Sequence, residues 1–342
     1  MSAVSAVINP VTADRPSSVG DKRVLIFSAT SKYNTVSFEQ RKLRTAEKTP
    51  RRHDGMSGGP LSQKVKNPSS LVTINYDDAA FVYGVSMHTP PKTGETQPEP
   101  IAVLSLFHPV HQHVAKDEEG GRIVVPNGFI AGCTDNEHLW IYYQSKSADG
   151  KNVIIKRSEV SGATANITNL SVEHVLEKTW LGAFYDGKSQ WVVFQSDNNR
   201  LTIFNANKGK DSDIDDDEKT FMPYTPIACA FVPSKSIDPS KVPSFKPDAN
   251  VLGRAFVYYL YKHGGNNILQ RRYADIEDKK YAPDWKGPIE AGKGPQAVQA
   301  TAQMSVVVDH EQQCNWIYTL MEESDTVSAI RDNWAADSNE EK

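Results

Sequence analysis

The segment LWIYYQSKSADGKNVIIKRSE (residues 139–159) decides the fold, because it has the form of two strands joined by a polar hairpin. It begins with aromatic and aliphatic residues, continues with Ser, Lys, Asp and Gly, and ends in branched residues followed by charged ones. This pattern, with turn residues between the apolar runs, is typical of antiparallel β-structure. The segment AFVYYLYKHGGNNILQRRY (residues 255–273) has the same form. A sheet-forming unit is therefore repeated along the chain.

The repeat occurs six times. An aromatic or aliphatic strand begins, in turn, at Val24, Phe81, Trp140, Trp191, Phe256 and Trp316, at intervals of 51 to 65 residues. A run of small and apolar residues precedes most of these strands, and its glycines and alanines suit the crowded innermost strand of a blade. Regular units of this length are typical of a β-propeller. The sequence predicts an all-β, single-domain, six-bladed β-propeller, in which each blade is a four-stranded antiparallel sheet.

The repeat also sets the blade boundaries. We expect blades at about 1–66, 67–126, 127–178, 179–222, 223–300 and 301–334, followed by a disordered tail at 335–342. Polar insertions at 42–66, 90–100, 211–219 and 233–250 are expected to be surface loops. Residues 2–10 are expected to pair with the last blade, because a closed propeller leaves no sheet edge open.

Composition excludes several function classes. The 342-residue chain has a formal net charge of -4, which gives no general attraction to nucleic acid or anionic membrane. Its three cysteines are too few and too widely spaced for a disulfide framework. No signal peptide is recognisable, and no stretch approaches the roughly 20 apolar residues of a membrane span. We therefore expect a cytoplasmic protein that binds no nucleic acid.

The repeat resembles that of the fungal fucose-specific lectins, which are six-bladed propellers with similar blades. In that family an Arg on the second strand and a Glu on the third bind the sugar hydroxyls, which must regain hydrogen bonds on leaving water. The matching Arg positions hold Val24, Phe81, Trp140, Trp191, Phe256 and Trp316, and the matching Glu positions hold Phe38, Val103, Ile155, Ile203, Gln270 and Ala329. A shift of one residue would recover Arg23 and Glu39 in the first blade alone. The resemblance implies a lectin fold that has lost most of its sugar-binding chemistry.

The chain also resembles the lectin-fold hetero-Diels–Alderases of fungal tropolonic sesquiterpenoid (meroterpenoid) biosynthesis, which share the lectin-like repeat. That resemblance implies a cofactor-independent pericyclase of secondary metabolism. Its substrates would be apolar small molecules, a tropolone quinone methide and a macrocyclic sesquiterpene of the humulene type, and dehydration of the precursor would fall within the same activity. No catalytic triad is needed, because holding the two partners in reactive geometry itself lowers the barrier. The motifs of classical hydrolases, kinases and dehydrogenases are absent from the sequence.

Candidate site residues follow from the strand positions. Gln270 occupies a former Glu position, and Arg157, Arg272 and Arg331 each lie two residues beyond such a position, on the same strand face. We expect these four to be catalytic hydrogen-bond donors to the heterodiene oxygen. A buried amide at Gln270 would need a partner, which a substrate oxygen would supply. The predicted substrate-binding residues are Trp140, Tyr142, Trp180, Trp191, Phe256, Tyr258, Trp285, Trp316 and Trp334.

Other hypotheses remain open from the sequence. The aromatic residues also suit closed interfaces between blades, and the arginines suit a solvated rim. The chain would then be a glycan-binding lectin with degenerate sites or a scaffold for protein interactions, and a homodimer is compatible with each hypothesis. His108, His111 and His113 lack a Cys or carboxylate at ligand spacing, and the acidic run 211–217 lacks the glycine of a calcium loop. We therefore predict no metal site.

Overall fold

A computed structural model describes residues 3–13, 22–29, 35–43, 51–53, 65–92, 98–116, 121–162, 164–214, 222–263, 265–292, 298–322, 324 and 326–335. Their regular structure is almost entirely β-strand, with one short helix, α1 (Pro10–Ala13), and one 3-10 turn at Ser234–Ser236. No helix in these ranges is long and apolar enough to cross a membrane. All but the first residue of the predicted tail (335–342) and most of the predicted 42–66 loop lie outside the described residues, and the loop prediction is wrong for Arg51–His53, which form a strand.

The chain divides into two compact units, Met1–Leu170 and Ser171–Lys342, and each contains three sheets. In the first unit, the first sheet consists of β1 (Ala3–Ile8), β2 (Arg23–Ala29), β3 (Val36–Lys42) and β4 (Arg51–His53). The second sheet consists of β5 (Val72–Tyr76), β6 (Ala79–His88), β7 (Ile101–His108) and β8 (Gln112–His113). The third sheet combines β9 (Ala115–Lys116) with β10 (Ile130–Thr134), β11 (Leu139–Lys146), β12 (Val153–Ser161) and β13 (Thr164–Asn169).

The second unit repeats this arrangement. Its first sheet consists of β14 (Gly182–Tyr185), β15 (Gln190–Gln195), β16 (Leu201–Asn205) and β17 (Lys210–Asp213). The next consists of β18 (Ile227–Pro233), β19 (Val251–His263), β20 (Asn266–Glu277) and β21 (Lys286–Glu290). The last consists of β22 (Ser305–Asp309), β23 (Cys314–Leu320) and β24 (Val327–Asn333). In all six sheets the consecutive main strands pair antiparallel and in sequence order.

Six small antiparallel sheets confirm the predicted fold class, a six-bladed β-propeller. The second strands begin within two residues of the predicted positions, except β19, which begins at Val251 and contains a bulge before Gly253. The prediction of four strands in every blade was wrong, because the sheets have three to five strands. The third blade gains β9 as a parallel neighbour of β13, and the described part of the sixth blade has three strands.

The N-terminal strand does not have its predicted partner. β1 pairs antiparallel with β2 over its whole length, from Ala3 opposite Ala29 to Ile8 opposite Val24. It is therefore the first strand of the first blade, and its expected pairing with the last blade is wrong. Its AVSAVI sequence explains this position, since small and branched residues suit a buried innermost strand.

Neighbouring blades within each unit pack through apolar faces. In the first unit, Val85 and Leu104 of the second blade meet Ile141 and Tyr143 of the third in one buried cluster. Gly132 lies where these blades approach closely, since a Cβ there would lie 2.9 Å from the side chains of both Ile74 and Ile141. Burial of a large apolar side chain contributes roughly 1.5–3 kcal/mol, so such contacts dominate the packing of the blades.

Candidate functional site

The six second-strand positions that were matched to the lectin arginines carry no charge, and most of them are buried. Val24 and Phe256 are fully buried, Trp191 is 1% exposed and Trp140 is 5% exposed, whereas Phe81 and Trp316 are half-buried. On the third strands, Val103, Ile155 and Ile203 are fully buried as well. Apolar packing therefore occupies most of the space around these positions.

Trp191 is fixed by a hydrogen bond and by stacking. Its indole nitrogen donates to a carboxylate oxygen of Asp186 over 2.6 Å, and its ring stacks on Phe184 with centroids 6.1 Å apart. Phe184 in turn stacks on Phe231 of the next blade, 6.0 Å away. These contacts place Trp191 in the packed interface between the fourth and fifth blades. Trp180, another predicted substrate-binding residue, is also buried.

Trp140 belongs to a small group at one end of the third blade. The imidazole of His138 stacks on its indole, with centroids 5.6 Å apart and ring planes 19° from parallel. The hydrogen bond from His138 to Asp135, with 3.2 Å between Nδ1 and Oδ2, raises the pKa of His138. The stack leaves Trp140 covered and the imidazole exposed.

Tyr258 lies in a buried polar network between the fifth and sixth blades. Its hydroxyl donates to Asp332 over 2.7 Å and accepts a hydrogen bond from the amide of Asn315 over 2.8 Å. Arg271 donates from the same nitrogen to Asp332 over 2.6 Å and to the backbone carbonyl of Asn333 over 2.7 Å. Burial raises the pKa of the Tyr258 hydroxyl well above its usual value, and the Asp332 charge raises it further, so the hydroxyl remains a donor.

Aromatic rings cover this network. Phe256 stacks on Trp334 with centroids 6.0 Å apart, and the guanidinium of Arg271 lies 5.8 Å from the centre of the Phe256 ring. Phe256, Trp334 and Arg271 are all fully buried. Sequence reasoning missed Arg271 and Asp332. The cross-strand pairing of Tyr258 with Arg271 was within reach of the strand pattern, but the contact with Asp332 depends on how two blades pack.

The predicted donors of the fifth blade differ from expectation. Gln270 lies between Tyr259 and Glu290 in the sheet register and is only half-buried. The prediction that its amide is buried and needs a substrate oxygen as partner is therefore wrong. Arg272, by contrast, is 8% exposed and lies at an irregularity in the pairing of β20 with β21. Gln270 and Arg272 point to the same side of the strand by the period of two, and Trp285, which precedes β21, is half-buried.

Two of the predicted arginines face a predicted aromatic residue across a pair of strands. Arg157 is the register partner of Tyr142, whose ring is fully buried. Arg331 is the partner of Trp316, and its guanidinium carbon lies 6.0 Å from the centre of the indole ring. Arg331 is exposed, Trp316 is half-buried, and one guanidinium nitrogen lies 3.5 Å from the amide oxygen of Gln312. This second pair combines a donor, an aromatic surface and access to solvent.

Comparison with known proteins identifies the fold. No protein-family model and no curated protein sequence matches the chain. Among solved structures it is similar to a mutant Aleuria aurantia lectin in complex with alpha-methyl-L-fucoside, with a TM-score of 0.55, 11% identity and coverage of 98% of this chain and 96% of the lectin. The same mutant in complex with Fucalpha1-6GlcNAc has a TM-score of 0.54 and 10% identity, with coverage of 98% of this chain and 96% of the lectin. The SapL1 lectin in complex with alpha methyl fucoside has a TM-score of 0.51 and 10% identity, with coverage of 97% of this chain and 96% of that lectin.

The chain has the fold of a lectin-like six-bladed β-propeller. At these identities the likeness establishes the fold alone. In this lectin-like propeller the one predicted residual sugar pair, Arg23 and Glu39, does not face across the first blade. Arg23 is opposite Lys42 and Glu39 is opposite Ile26, and Arg41 binds the Glu39 carboxylate over 2.6 Å.

Metal binding has no support within the ranges that the structure describes. No group of three or more His, Cys, Asp or Glu side chains there is arranged to hold a metal ion. The histidine-rich stretch 108–113 and the described part of the acidic run 211–217 are included in that statement.

Proposed function

We propose that this lectin-like propeller is a cofactor-independent enzyme that catalyses an intermolecular hetero-Diels–Alder reaction. The partners would be a tropolone quinone methide and a macrocyclic sesquiterpene of the humulene type, with dehydration of the tropolone precursor as a preceding step. The observation that carries the proposal is the replacement of the lectin charges by buried apolar residues, such as Trp191 and Phe256. The resemblance of the sequence to lectin-fold hetero-Diels–Alderases supplies the reaction.

Trp316 and Arg331 are the pair that we assign to the reaction. The buried indole nitrogen of Trp316 makes no hydrogen bond to any described residue, and a buried donor without an acceptor costs about 1–3 kcal/mol. A substrate oxygen would supply that acceptor. The Arg331 guanidinium, which lies over the indole ring, would donate a second hydrogen bond to the same oxygen.

The reaction needs only orientation and hydrogen bonding. The exocyclic carbon and the oxygen of the heterodiene form one bond each to the two carbons of the terpene double bond. The electrons of the two partners redistribute in one step, so no oxidant or reductant is consumed. Donors aimed at the heterodiene oxygen stabilise the charge that develops on it, and orientation of the two partners lowers the entropic part of the barrier.

Purified protein should accelerate formation of the cycloadduct from a hydroxymethyl tropolone, which loses water to give the quinone methide, and humulene. Replacement of Arg331 by Gln should lower kcat/KM by about 10- to 100-fold, since a hydrogen bond from a charged donor contributes about 1.5–3 kcal/mol. Product formation is measured by chiral liquid chromatography with mass detection. Arg200→Gln is the matched control, because Arg200, directly before β16, is also reached by solvent but pairs with Asp213.

Product at the uncatalysed rate and without stereochemical preference would contradict the enzyme proposal. Wild-type kinetics in the Arg331→Gln variant, with activity retained, would contradict only the assignment of the site. The two outcomes separate the reaction from the residues proposed to catalyse it.

The second candidate function is glycan binding, and the likeness to three fucose-complexed lectin structures favours it. Calorimetric titration with alpha-methyl-L-fucoside distinguishes the two candidates. We expect no binding, because a buried Phe256 or Trp191 offers no charged donor for sugar hydroxyls. Micromolar affinity at several sites per chain would favour the lectin instead.

A further inference from the structure

Three histidines, His88, His111 and His113, lie close together on the second blade. The rings of His88 and His113 lie edge to face with centroids 5.1 Å apart, and those of His111 and His113 are 5.7 Å apart. His108, at the end of β7, lies 5.6 Å from Phe27 of the first blade. We call His88, His111 and His113 the histidine cluster. Its members come from β6, from β8 and from the residue that precedes β8.

Two buried serines fix the central ring of the histidine cluster. Nδ1 of His113 lies 3.0 Å from Oγ of Ser105 and 3.5 Å from Oγ of Ser86, and the two hydroxyl oxygens are 2.7 Å apart. Both serines are fully buried, so neither hydroxyl is accessible as a nucleophile. Their role is to hold the imidazole of His113 in place.

This contact secures a short strand. β8 has only two residues and pairs with β7 at two positions, His113 opposite Ser105 and Gln112 opposite Leu106. One further backbone bond, from the nitrogen of Val114 to the carbonyl of Leu104, follows directly. A two-residue edge strand has little pairing energy of its own, so the side-chain bond of His113 carries a large share of its attachment.

The surroundings of the histidine cluster disfavour positive charge. Burial, the charge of Arg122 and the neighbouring imidazoles of His88 and His111, in that order of size, together lower the pKa of His113 to about 4. Burial lowers the pKa of His111 as well, and burial and the charge of Arg122 lower the pKa of His88. Burial also lowers the pKa of His108. The groups that face His113, which are His88 of β6, His111 before β8 and Arg122 of the 121–125 segment, thus all disfavour its protonation.

We propose that the histidine cluster is an acid-sensitive clasp, which holds β8 on the second blade when its imidazoles are neutral and releases β8 when His113 takes up a proton. Protonation places an imidazolium beside Arg122 and two further imidazoles, and it replaces a well-matched neutral contact with repulsion. Release is local, since Ile123 and Val125 of the adjoining segment remain buried in the apolar interface with the third blade. The inference is independent of the reaction proposed above.

The direction of the pH dependence follows from proton linkage. An imidazole free in solution binds a proton near pH 6.5, whereas His113 in the closed clasp binds one only near pH 4. The released form therefore takes up the proton first as the pH falls. The closed form has its full advantage above about pH 6.5 and loses it progressively between pH 6.5 and pH 4.

Hydrogen exchange of the intact chain tests the clasp. Between pH 7 and pH 5, after correction for the intrinsic exchange rate, the opening equilibrium of the backbone amides at 112–114 should rise on the order of tenfold. Amides of β15 (Gln190–Gln195) in the other unit serve as the internal reference. A parallel NMR titration of the imidazole carbons should place the midpoint of His113 well below that of the exposed His138.

Three variants sharpen the test. His113→Asn keeps an amide near the position of Nδ1 but cannot titrate, so exchange at 112–114 should lose its pH dependence. His88→Gln removes one neighbouring imidazole and should raise the His113 midpoint. His138→Asn, a control on the third blade, should leave exchange at 112–114 as in the wild type. A titration midpoint of His113 near that of a free imidazole would overturn the proposal. So would the same pH dependence of exchange at 112–114 in the wild type and in His113→Asn. The wild-type titration decides the question even where a variant misfolds.

Discussion

Arg331 and Asp332 are consecutive residues of β24, yet they have opposite environments. Asp332 is 2% exposed and is bound by Arg271 and Tyr258, whereas Arg331 is exposed beside Trp316. Alternation along a strand produces this difference, because neighbouring side chains point to opposite faces. Asp332 is hydrogen-bonded by residues of the neighbouring blade, whereas Arg331, on the opposite face, is the charge that we propose for contact with a ligand. One strand thus carries a buried charge that stabilises the fold beside an exposed charge that we propose for function.

The largest loss of stability is expected when the buried charge of Asp332 is removed. Asp332→Ala removes the acceptor of Arg271 and leaves a guanidinium without its countercharge in the core, which costs about 3–5 kcal/mol of unfolding free energy. Urea denaturation followed by tryptophan fluorescence measures the loss.

Asp213→Ala is the control for that measurement, because Asp213 also pairs with an arginine but lies at the surface. It should cost less than about 1 kcal/mol. Equal losses in the two variants would break the comparison, since burial would then not be what makes the Asp332 pair important. A double replacement of Arg271 and Asp332 by Met and Leu should recover much of the loss, because no charge remains buried.

Tyr258→Phe should have an intermediate effect. The ring stays in place, but Asp332 and Asn315 each lose one hydrogen-bond partner, which costs about 1–2 kcal/mol. The same denaturation experiment measures it. A double-mutant cycle with Asp332→Ala should show strong coupling, since the tyrosine bond has no acceptor once the carboxylate is gone. Additive losses would mean that Tyr258 contributes by packing alone.

Arg331→Gln should have the smallest effect on stability. Its side chain is exposed, so the change in unfolding free energy should stay within about 0.5 kcal/mol. The same variant is expected to lose most of its cycloaddition activity. A large loss of stability would remove the distinction between the two faces of β24 and would make any loss of activity uninformative about catalysis.

Much of the fold could be predicted from the sequence, because each blade repeats a local pattern. Runs such as those beginning at Trp140 and Trp316 show both strand and turn, and their regular spacing gives the number of blades. Features that depend on distant pairing were not accessible. The partner of β1 and the parallel docking of β9 involve backbone hydrogen bonds, which leave no trace in side-chain periodicity.

The candidate site was predictable only in part. The repeat selects Trp316 and Arg331 separately, and the structure makes them register partners, with the guanidinium carbon 6.0 Å from the centre of the indole ring. The buried network of Arg271 and Asp332 did not follow, because strand patterns do not show which blade faces meet. Gln270 was predicted to be buried but is only half-buried. Its position along the strand does not determine how much the neighbouring elements cover its side chain.

The short strand β9 has a consequence for how such a chain is inherited. The polypeptide leaves the second blade, pairs Ala115 and Lys116 with Thr164 and Ala165 of the third, and then returns to run beside β7 at Val124. The second repeat thus contributes a strand to the sheet of its neighbour. A recombination event that moved either repeat alone would strip β13 of this partner or carry the strand away without its sheet. Movement of the two repeats together would keep this pairing.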